Sequence, residues 1–262
     1  MKQEGPSSWD RESLKNPHRQ ADKARRVRQM FSGIAGRYDL LNHLLSFNQD
    51  RRWRRRAVRR AEPRAGQRVL DLCCGTGDLA WEFVRQNPAL GQVIGLDFAE
   101  PMLHRAAQKG PRRGAPARGS RGNEAPVKWI CGDAQRLPLA EGSCDAAACA
   151  FGLRNLEDPG KALEELHRVL KPGGRLVILE FAWPKNGVIS WLYQGYFRLV
   201  LPVIGNIIAQ DRNRAYHYLP ASVKSFATEV QLETRLRESG FKVMHREEWA
   251  CAAVLVLVAG KP

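Results

Sequence analysis

From residue 68 onward, short apolar runs alternate with stretches in which apolar residues recur at helical spacing. Runs of this length are typical of buried strands, and the 3.6-residue period is typical of helices packed on a sheet. The pattern predicts strands at 68–72, 92–97, 127–131, 144–150, 175–181, 242–247 and 251–259. It predicts helices at 78–86, 100–109, 160–170 and 229–239. This alternation indicates an α/β fold with a mostly parallel seven-stranded sheet and helices on both faces.

The segment before the first strand has a different character. Residues 22–62 repeat apolar side chains at helical spacing and are predicted to form an N-terminal helical cap. Residues 1–21 are rich in Ser, Pro, Asn and charge and are expected to be a disordered tail. Residues 63–262 then form the main domain, in which 110–126 is expected to be a flexible loop and 183–225 an inserted lid.

Basic residues outnumber acidic ones by 42 to 27, so the formal net charge is +15. Seven arginines lie between Arg51 and Arg60. A solvated basic face, a nucleic-acid site and a surface for an anionic membrane all fit this charge, which does not choose among them. The longest apolar stretch, 188–208, is interrupted by polar and helix-breaking residues, so a lid or interfacial segment is favoured over a membrane span.

The six cysteines form no Cys-x-x-Cys pair, and most fall in or beside predicted strands. They indicate small buried residues in a reducing, cytoplasmic compartment rather than disulfides or zinc ligands. The six histidines have no ligand spacing with Cys or carboxylate residues, so no metal is expected. The N-terminus has no apolar signal segment.

A glycine-rich turn follows the first predicted strand, which ends near Asp71. The turn consists of Gly75, Thr76 and Gly77. Glycine lets the backbone approach a ligand closely, and the next helix points its amides at the same place. The dinucleotide fingerprint requires a further glycine where Ala80 stands, and the Lys-Ser/Thr of a P-loop is absent. Asp71 and Asp78 would repel a pyrophosphate but attract a sulfonium and an ammonium group, so a cationic ligand is expected.

Two further strand ends carry acidic residues. Asp97 ends the second strand, where a carboxylate can accept both ribose hydroxyls of a nucleoside. Asp133 and Ala134 follow the third strand and suit an adenine edge, with Asp133 accepting from the exocyclic amine. One such acid is often a capping residue, but three at successive strand ends after Gly-x-Gly form a specific pattern. It predicts that the cofactor is S-adenosylmethionine.

The fourth strand separates classes of methyl acceptor. The Asn/Asp-Pro-Pro-aromatic run common in enzymes that methylate exocyclic amines of bases is absent after residue 144. The Pro-Cys nucleophile of cytosine C5 methylation is absent as well, since Cys149 lacks the proline. Both absences count against nucleic acid as a partner despite the charge.

Three stretches closely resemble the ubiquinone/menaquinone biosynthesis C-methyltransferase family, and the resemblance covers about residues 22–260. The three stretches are 38–46 followed by Trp53, 151–155, and 168–182. The chain departs from the family pattern at Leu41 (usually Met), Asp50 (usually His), Ala182 (usually Ser) and Ala150 (usually a hydroxyl residue). The last departure removes one contact to the methionyl part of the cofactor, although Ala150 is still expected in the cofactor site.

The resemblance implies a Rossmann-like class I methyltransferase that methylates a ring carbon of a polyprenylated quinol, in either menaquinone or ubiquinone biosynthesis. It implies that Arg154 lowers the pKa of the substrate phenol, that Asn155 orients a quinol oxygen and that Tyr38 closes the pocket. The structural alternatives are an ion pair for Arg154, a capped turn for Asn155 and core packing for Tyr38.

A prenylated substrate resides in a bilayer, so transient contact with the anionic inner face of the membrane is expected. The arginines at 51–60 and the apolar residues of 188–208 are the segments expected to make it. The alternative for 188–208 is a homodimer interface. The alternative functions are methylation of another small molecule and methylation of RNA.

Overall fold

The structure, a computed structural model, describes residues 9–10, 12–110, 127–184, 187–196, 215–229 and 232–262. Within these residues a seven-stranded sheet has the order β3-β2-β1-β4-β5-β7-β6. The strands are β1 (Arg68–Leu72), β2 (Gln92–Asp97), β3 (Val127–Cys131), β4 (Cys144–Ala150), β5 (Leu170–Phe181), β6 (Lys242–Trp249) and β7 (Val254–Gly260). Strands β1 to β5 are parallel, and β7 is antiparallel to both β5 and β6. The predicted α/β fold is confirmed.

The described helices surround this sheet and precede it. They are α1 (Lys23–Ile34), α2 (Tyr38–Leu45), α3 (Gln49–Ala61), α4 (Asp78–Gln86), α5 (Glu100–Lys109), α6 (Pro159–Val169), α7 (Gly187–Gly195), α8 (Ala215–Glu229) and α9 (Leu232–Glu238). Short 3-10 turns occur at Ser13–Lys15, Pro17–Arg19 and Leu153–Asn155. In the described part of the chain, no helix is long and apolar enough to span a bilayer.

Two apolar layers hold helices to the sheet because successive strand residues point to opposite faces. In β1, Leu70 belongs to one layer and Val69 to the other. Leu163 of α6 packs in the first layer, and Phe83 of α4 in the second. Both faces are therefore covered, and the ligand-binding edge lies at the carboxyl ends of the parallel strands.

Strand β5 begins earlier than predicted. Leu170 already pairs with Cys144, and the register then shifts so that Arg175 pairs with Ala146. The residues between belong to an irregular part of the strand that contains Gly173, whose φ is +77°. The sequence pattern predicted only the regular part of the strand, 175–181. The Pro and Gly residues at 172–174 interrupt the apolar pattern and separate Leu170 from that part.

The predicted disordered tail at 1–21 is wrong for residues 9–10 and 12–21. Trp9 is 1% exposed and its ring lies 4.6 Å from that of Tyr218 in α8. His18 Nε2 lies 3.0 Å from the Ser222 carbonyl oxygen. These contacts are with residues about 200 positions away in the chain, so composition could not reveal them. Residues 1–8 and 11 are outside the described part.

The two other irregular segments are only partly described. Of the loop predicted at 110–126, Gly110 alone is described. Of the lid predicted at 183–225, α7 and the first part of α8 are described, whereas 185–186 and 197–214 are not. The lid and the homodimer interface therefore remain predictions.

Candidate active site

A cavity of about 350 Å³ opens at the carboxyl ends of β1 to β4. We call it the polar cavity. Among the residues predicted to bind cofactor or substrate, those that line it are Tyr38, Gly75, Asp97, Asp133, Ala134, Ala150 and Asn155. Four strand ends and the helical cap thus meet around one space, as parallel topology requires.

Asp97 is the most constrained acidic residue of this cavity. It is 7% exposed, and its Oδ1 and Oδ2 accept hydrogen bonds of 2.9 Å from the backbone N–H groups of Ala99 and Gly75. Burial raises the pKa of Asp97, although the backbone donors oppose that shift. Each carboxylate oxygen has two lone pairs, so each can still accept one hydroxyl of a ligand.

Asp133 and Ala134 lie across the cavity from this turn, after β3. Asp133 is exposed and accepts from the backbone N–H of Gln135 at 2.9 Å, which leaves its second oxygen accessible. Ala134 is 4% exposed and contributes a small apolar wall. This arrangement suits an adenine ring, because the Asp133 oxygen can accept a hydrogen bond from its edge and Ala134 can pack against its face.

Thr76 and Gly77, also predicted to bind the cofactor, do not line the polar cavity. Thr76 is buried and donates to Asp39 of the cap. Gly77 has φ +78° and begins α4, and a Cβ there would lie 2.4 Å from Trp129. They shape the turn that places Gly75 at the cavity.

Asp71 also lies outside the cavity lining. It is 1% exposed, and burial raises its pKa well above the usual value. Its Oδ2 is buried without a hydrogen-bond partner among the described residues. Asp78 does not line the cavity either, and Lys109 Nζ lies 2.7 Å from its Oδ1. The prediction of a cationic ligand from Asp71 and Asp78 was therefore based on the wrong carboxylates; those that face the cavity are Asp97, Asp133 and Glu157.

A second cavity of about 150 Å³ adjoins the first, and we call it the aromatic cavity. Phe31, Tyr38 and Phe151 line both cavities and so form the wall between them. The other aromatic residues of the second cavity are Trp53, Phe181, Tyr193, Tyr196 and Tyr218. Such a lining suits a flat apolar ring with polar groups at its edge.

Arg154 is the predicted catalytic residue that lines the aromatic cavity without reaching the polar one. It is 5% exposed, and its Nη1 donates at 2.6 Å both to Glu180 Oε1 and to the Phe151 carbonyl oxygen. Burial disfavours its charge, but Glu180 outweighs this and raises the pKa of Arg154. The structural alternative, an ion pair, is therefore present. The Nε of Arg154 is buried without a hydrogen-bond partner in the described part of the chain.

Asn155 and Tyr38 join the two cavities. The Asn155 Oδ1 accepts a hydrogen bond of 3.1 Å from the Tyr218 hydroxyl, which belongs to the aromatic cavity. Burial raises the pKa of both Tyr38 and Tyr218, so both phenols are protonated at neutral pH and can donate. Asn155 also donates to the Phe151 carbonyl oxygen, as its structural alternative requires.

A charged network links the cap to the turn after β1, and sequence reasoning missed it. Asp50 accepts from His43 Nδ1 at 2.9 Å and from Arg54 Nη1. Lys109 lies 2.7 Å from both Asp39 and Asp78. The spacing of Asp50 and Arg54 on one helix face is the signal that could have found part of it.

The same network contains the one cluster of potential metal ligands among the described residues. Ligand atoms of His43, Asp50 and Asp78 lie within 4.8 Å of one another, although no spacing in the sequence indicated this. Arg54 and Lys109 already bind the two carboxylates. Because these cations balance the charge, we assign no metal to the cluster.

Comparison with known proteins identifies this arrangement. The model of the ubiE/COQ5 methyltransferase family matches residues 19–261. The chain belongs to the ubiE/COQ5 methyltransferase family. It is 48% identical to a demethylmenaquinone methyltransferase of Thermus thermophilus over 216 residues, which are 82% of this chain and 93% of the relative.

Two further proteins extend the comparison. A ubiquinone/menaquinone biosynthesis C-methyltransferase UbiE of Geobacter sulfurreducens is 42% identical over 232 residues, covering 88% of this chain and 87% of the relative. A solved SAM-dependent methyltransferase of Aquifex aeolicus is 21% identical with a TM-score of 0.53, covering 76% of this chain and 84% of that one. The latter shows the fold alone, and the predicted S-adenosylmethionine-dependent methyltransferase is confirmed.

The residues of the polar cavity fit S-adenosylmethionine. Its volume lies in the usual range for small-molecule sites, about 300–1,000 Å³. Asp97 has free lone pairs for a ribose, and three carboxylates face the cavity against one arginine, Arg28, which suits a cationic ligand. Gly75 has φ +54°, so backbone rather than a side chain lies at the cavity there.

Proposed function

We propose that this enzyme methylates a ring carbon of a polyprenylated quinol, in the conversion of demethylmenaquinol to menaquinol or in the matching benzoquinol step. The observation that carries the proposal is the aromatic cavity, which adjoins the polar cavity and is lined by two buried arginines: Arg54, which pairs with Asp50, and Arg154. The names of the Thermus and Geobacter relatives support the same substrate class.

S-Adenosylmethionine, held by Asp97, Asp133 and the turn at Gly75, supplies an electrophilic methyl group when bound. The protein must raise the nucleophilicity of the ring carbon, and ionising the para phenol does this. Phenols have pKa values of about 10, and a neighbouring cation lowers them. Arg154 provides that cation at the aromatic cavity, and its unpartnered Nε is a donor that a phenolate oxygen can satisfy.

Asn155 and Tyr38 position the ring. Asn155 is oriented by Tyr218 and lies beside the wall between the cavities, where it can direct a quinol oxygen. Tyr38 belongs to that wall and brings the cap against both ligands. Fixing the ring carbon in line with the methyl group supplies much of the rate enhancement.

In this proposal the proton that leaves the phenol goes to water, and the proton that leaves the methylated ring carbon on rearomatisation returns through water to the phenol oxygen. Asp50 lines the aromatic cavity, but it is a weak base. Burial favours its neutral form, yet hydrogen bonds from His43 and Arg54 prevail and hold its pKa well below the usual value. The cationic Arg154 therefore acts by lowering the phenol pKa rather than by accepting the proton.

We further propose that the enzyme is cytoplasmic and peripherally associated with the inner face of the membrane, where its substrate resides. The exposed arginines of α3 support contact with anionic lipid, each contributing about 1 kcal/mol. Flotation with anionic vesicles should weaken as salt is raised. Binding that is independent of salt would mean that these arginines do not hold the protein.

The decisive assay incubates the protein with labelled S-adenosylmethionine and, in parallel, demethylmenaquinol, a demethylated benzoquinol precursor or total RNA. We expect label in the lipid extract, and the two quinols separate the menaquinone step from the ubiquinone step. Label in RNA with none in lipid would overturn the proposal. An Asp97→Ala variant provides the blank, because it should not retain the cofactor.

A further inference from the structure

Exposed apolar side chains concentrate beside the aromatic cavity. Of the six large apolar side chains exposed in the described part of the chain, three belong to α2 or the turn after it and two to α7. Leu40 is 60%, Leu44 44% and Phe47 77% exposed. Clustered apolar side chains at a surface mark contact with a partner or a membrane.

Helix α2 has two faces that serve different purposes. Tyr38, Asn42 and Leu45 line the aromatic cavity. Leu40 and Leu44 stand two positions after Tyr38 and Asn42, which corresponds to about 200° around the helix, and they are exposed. Phe47, in the turn after the helix, is exposed as well. One helix, about 10–12 Å across, therefore separates the cavity from the exposed apolar stripe.

The end of α7 adjoins α2. The hydroxyl of Tyr196, which follows α7, donates to the Leu45 carbonyl oxygen at 2.7 Å. Tyr193 of α7 lines the same cavity. Val188 and Trp191 are thus exposed on an element that also contacts the cavity.

The charge beside the stripe identifies its partner. Helix α3 begins two residues after Phe47 and presents six exposed arginines, Arg51, Arg52, Arg55, Arg56, Arg59 and Arg60. Its one acid, Asp50, is buried and bound to Arg54. Apolar side chains next to an arginine-rich face match an anionic bilayer, which offers acyl chains and phosphates together.

We propose that Leu40, Leu44 and Phe47 of α2 insert into an anionic bilayer, with Arg51 and Arg52 at its phosphates. This places the aromatic cavity one helix width from the lipid, so that a prenylated ring enters while its tail stays in the membrane. This inference rests on the proposed function only for the reason that the enzyme contacts a membrane. The contact itself is inferred from the exposed apolar side chains and the arginines beside them. It assigns the membrane contact to α2 as well as to the α7 region.

The test compares Leu40→Glu and Phe47→Glu with Met244→Glu, a matched control on β6 whose side chain is 41% exposed and apolar. Flotation uses phosphatidylcholine vesicles with and without phosphatidylglycerol. We expect wild type and Met244→Glu to float with anionic vesicles, and both α2 variants to bind at least about 10-fold more weakly. Circular dichroism and thermal unfolding check that each variant is folded.

Two activity assays separate this inference from the proposed function. Methylation of a short-tailed soluble demethylmenaquinol should be unchanged in the α2 variants, whereas methylation of a long-tailed quinol in vesicles should fall with flotation. If the wild-type protein methylates neither quinol, the proposed function fails. The flotation result then still decides whether the α2 residues contact the membrane. If the α2 variants float like wild type, or if they change the oligomeric state instead, the membrane surface is overturned.

Discussion

The two cavities are built in contrasting ways, although they share a wall. The polar cavity draws most of its chemistry from short strand-to-helix turns, such as Gly75 beside Asp97. The aromatic cavity takes residues from the cap, the end of β5, α8 and the start of β7, for example Trp53, Phe181, Tyr218 and Val254. A cofactor site made of local turns can recur in many enzymes, whereas an acceptor site assembled from distant segments is particular to a family.

The largest expected effect comes from Arg154, which belongs to the aromatic cavity alone. Arg154→Gln should lower kcat about 100- to 1,000-fold, as loss of a donor to a developing anion does. It should also destabilise the fold by about 3–5 kcal/mol because Glu180 would be buried without its partner. Cofactor affinity, measured by calorimetry, should not change.

The double variant Arg154→Gln/Glu180→Gln separates the two roles of this arginine. It should recover most of the lost stability in denaturant unfolding, since no unpaired charge remains, but not the lost turnover. Recovery of turnover together with stability would reduce Arg154 to a structural ion pair.

The reverse effect is expected from Asp97, which belongs to the polar cavity alone. Asp97→Ala should weaken S-adenosylmethionine binding at least about 100-fold, because hydrogen bonds to a charged acceptor contribute about 1.5–3 kcal/mol each. Binding of a quinol analogue should persist. Asp133→Asn is the comparison variant. It should lose less affinity for S-adenosylmethionine than Asp97→Ala does, because Asp133 is exposed. If Asp97→Ala weakened the binding of S-adenosylmethionine and of the quinol analogue equally, the two cavities would not be independent.

A smaller effect should follow when the turn of the polar cavity is crowded. Gly77→Ala places a methyl group 2.4 Å from Trp129 at a positive φ, and Gly173→Ala has nearly the same φ with open space around it. We expect losses of about 2–4 kcal/mol and about 1 kcal/mol in unfolding free energy, respectively. Similar losses at the two positions would show that Trp129 moves aside.

The last effect concerns pH and the N-terminal segment that packs on α8. Burial lowers the pKa of His18 to about 4, and Lys23 contributes in the same direction. A depressed histidine pKa gives stability that is complete above the ordinary value of 6.5 and is lost as the pH falls towards 4. Between those values the unfolding free energy should fall more steeply for wild type than for His18→Gln. Parallel curves would mean that protonating His18 does not disturb its contacts with Ser222 and Phe226 of α8.

Local chemistry explains why much of the polar cavity could be predicted. Asp97 ends β2 and Asp133 and Ala134 follow β3, and parallel strands bring their ends to one edge. Asp71 occupies the same type of position but points into the interior, where its carboxylate is 1% exposed. Period-two alternation predicts that neighbouring strand residues face opposite sides, but not which residue of a strand end reaches the ligand.

Long-range partners explain what the sequence concealed. Glu180 lies 26 residues from the Arg154 that it pairs with, and Trp9 packs on Tyr218 across most of the chain. His43 contacts Asp50, and Asp50 stands where the family usually has His. No local period encodes such contacts, because they depend on how separate elements dock.

The sequence alone determined the α/β fold, the order of its elements and the presence of Asp97 and Asp133 at the polar cavity, since each depends on neighbouring residues and on the geometry common to parallel sheets. Only the tertiary structure decided that Arg154 is paired with Glu180, that Trp9 and His18 pack on α8 and that α2 turns one face to the aromatic cavity and the other outward. Burial and pairing are properties of the assembled chain, because they depend on which distant surfaces exclude water together.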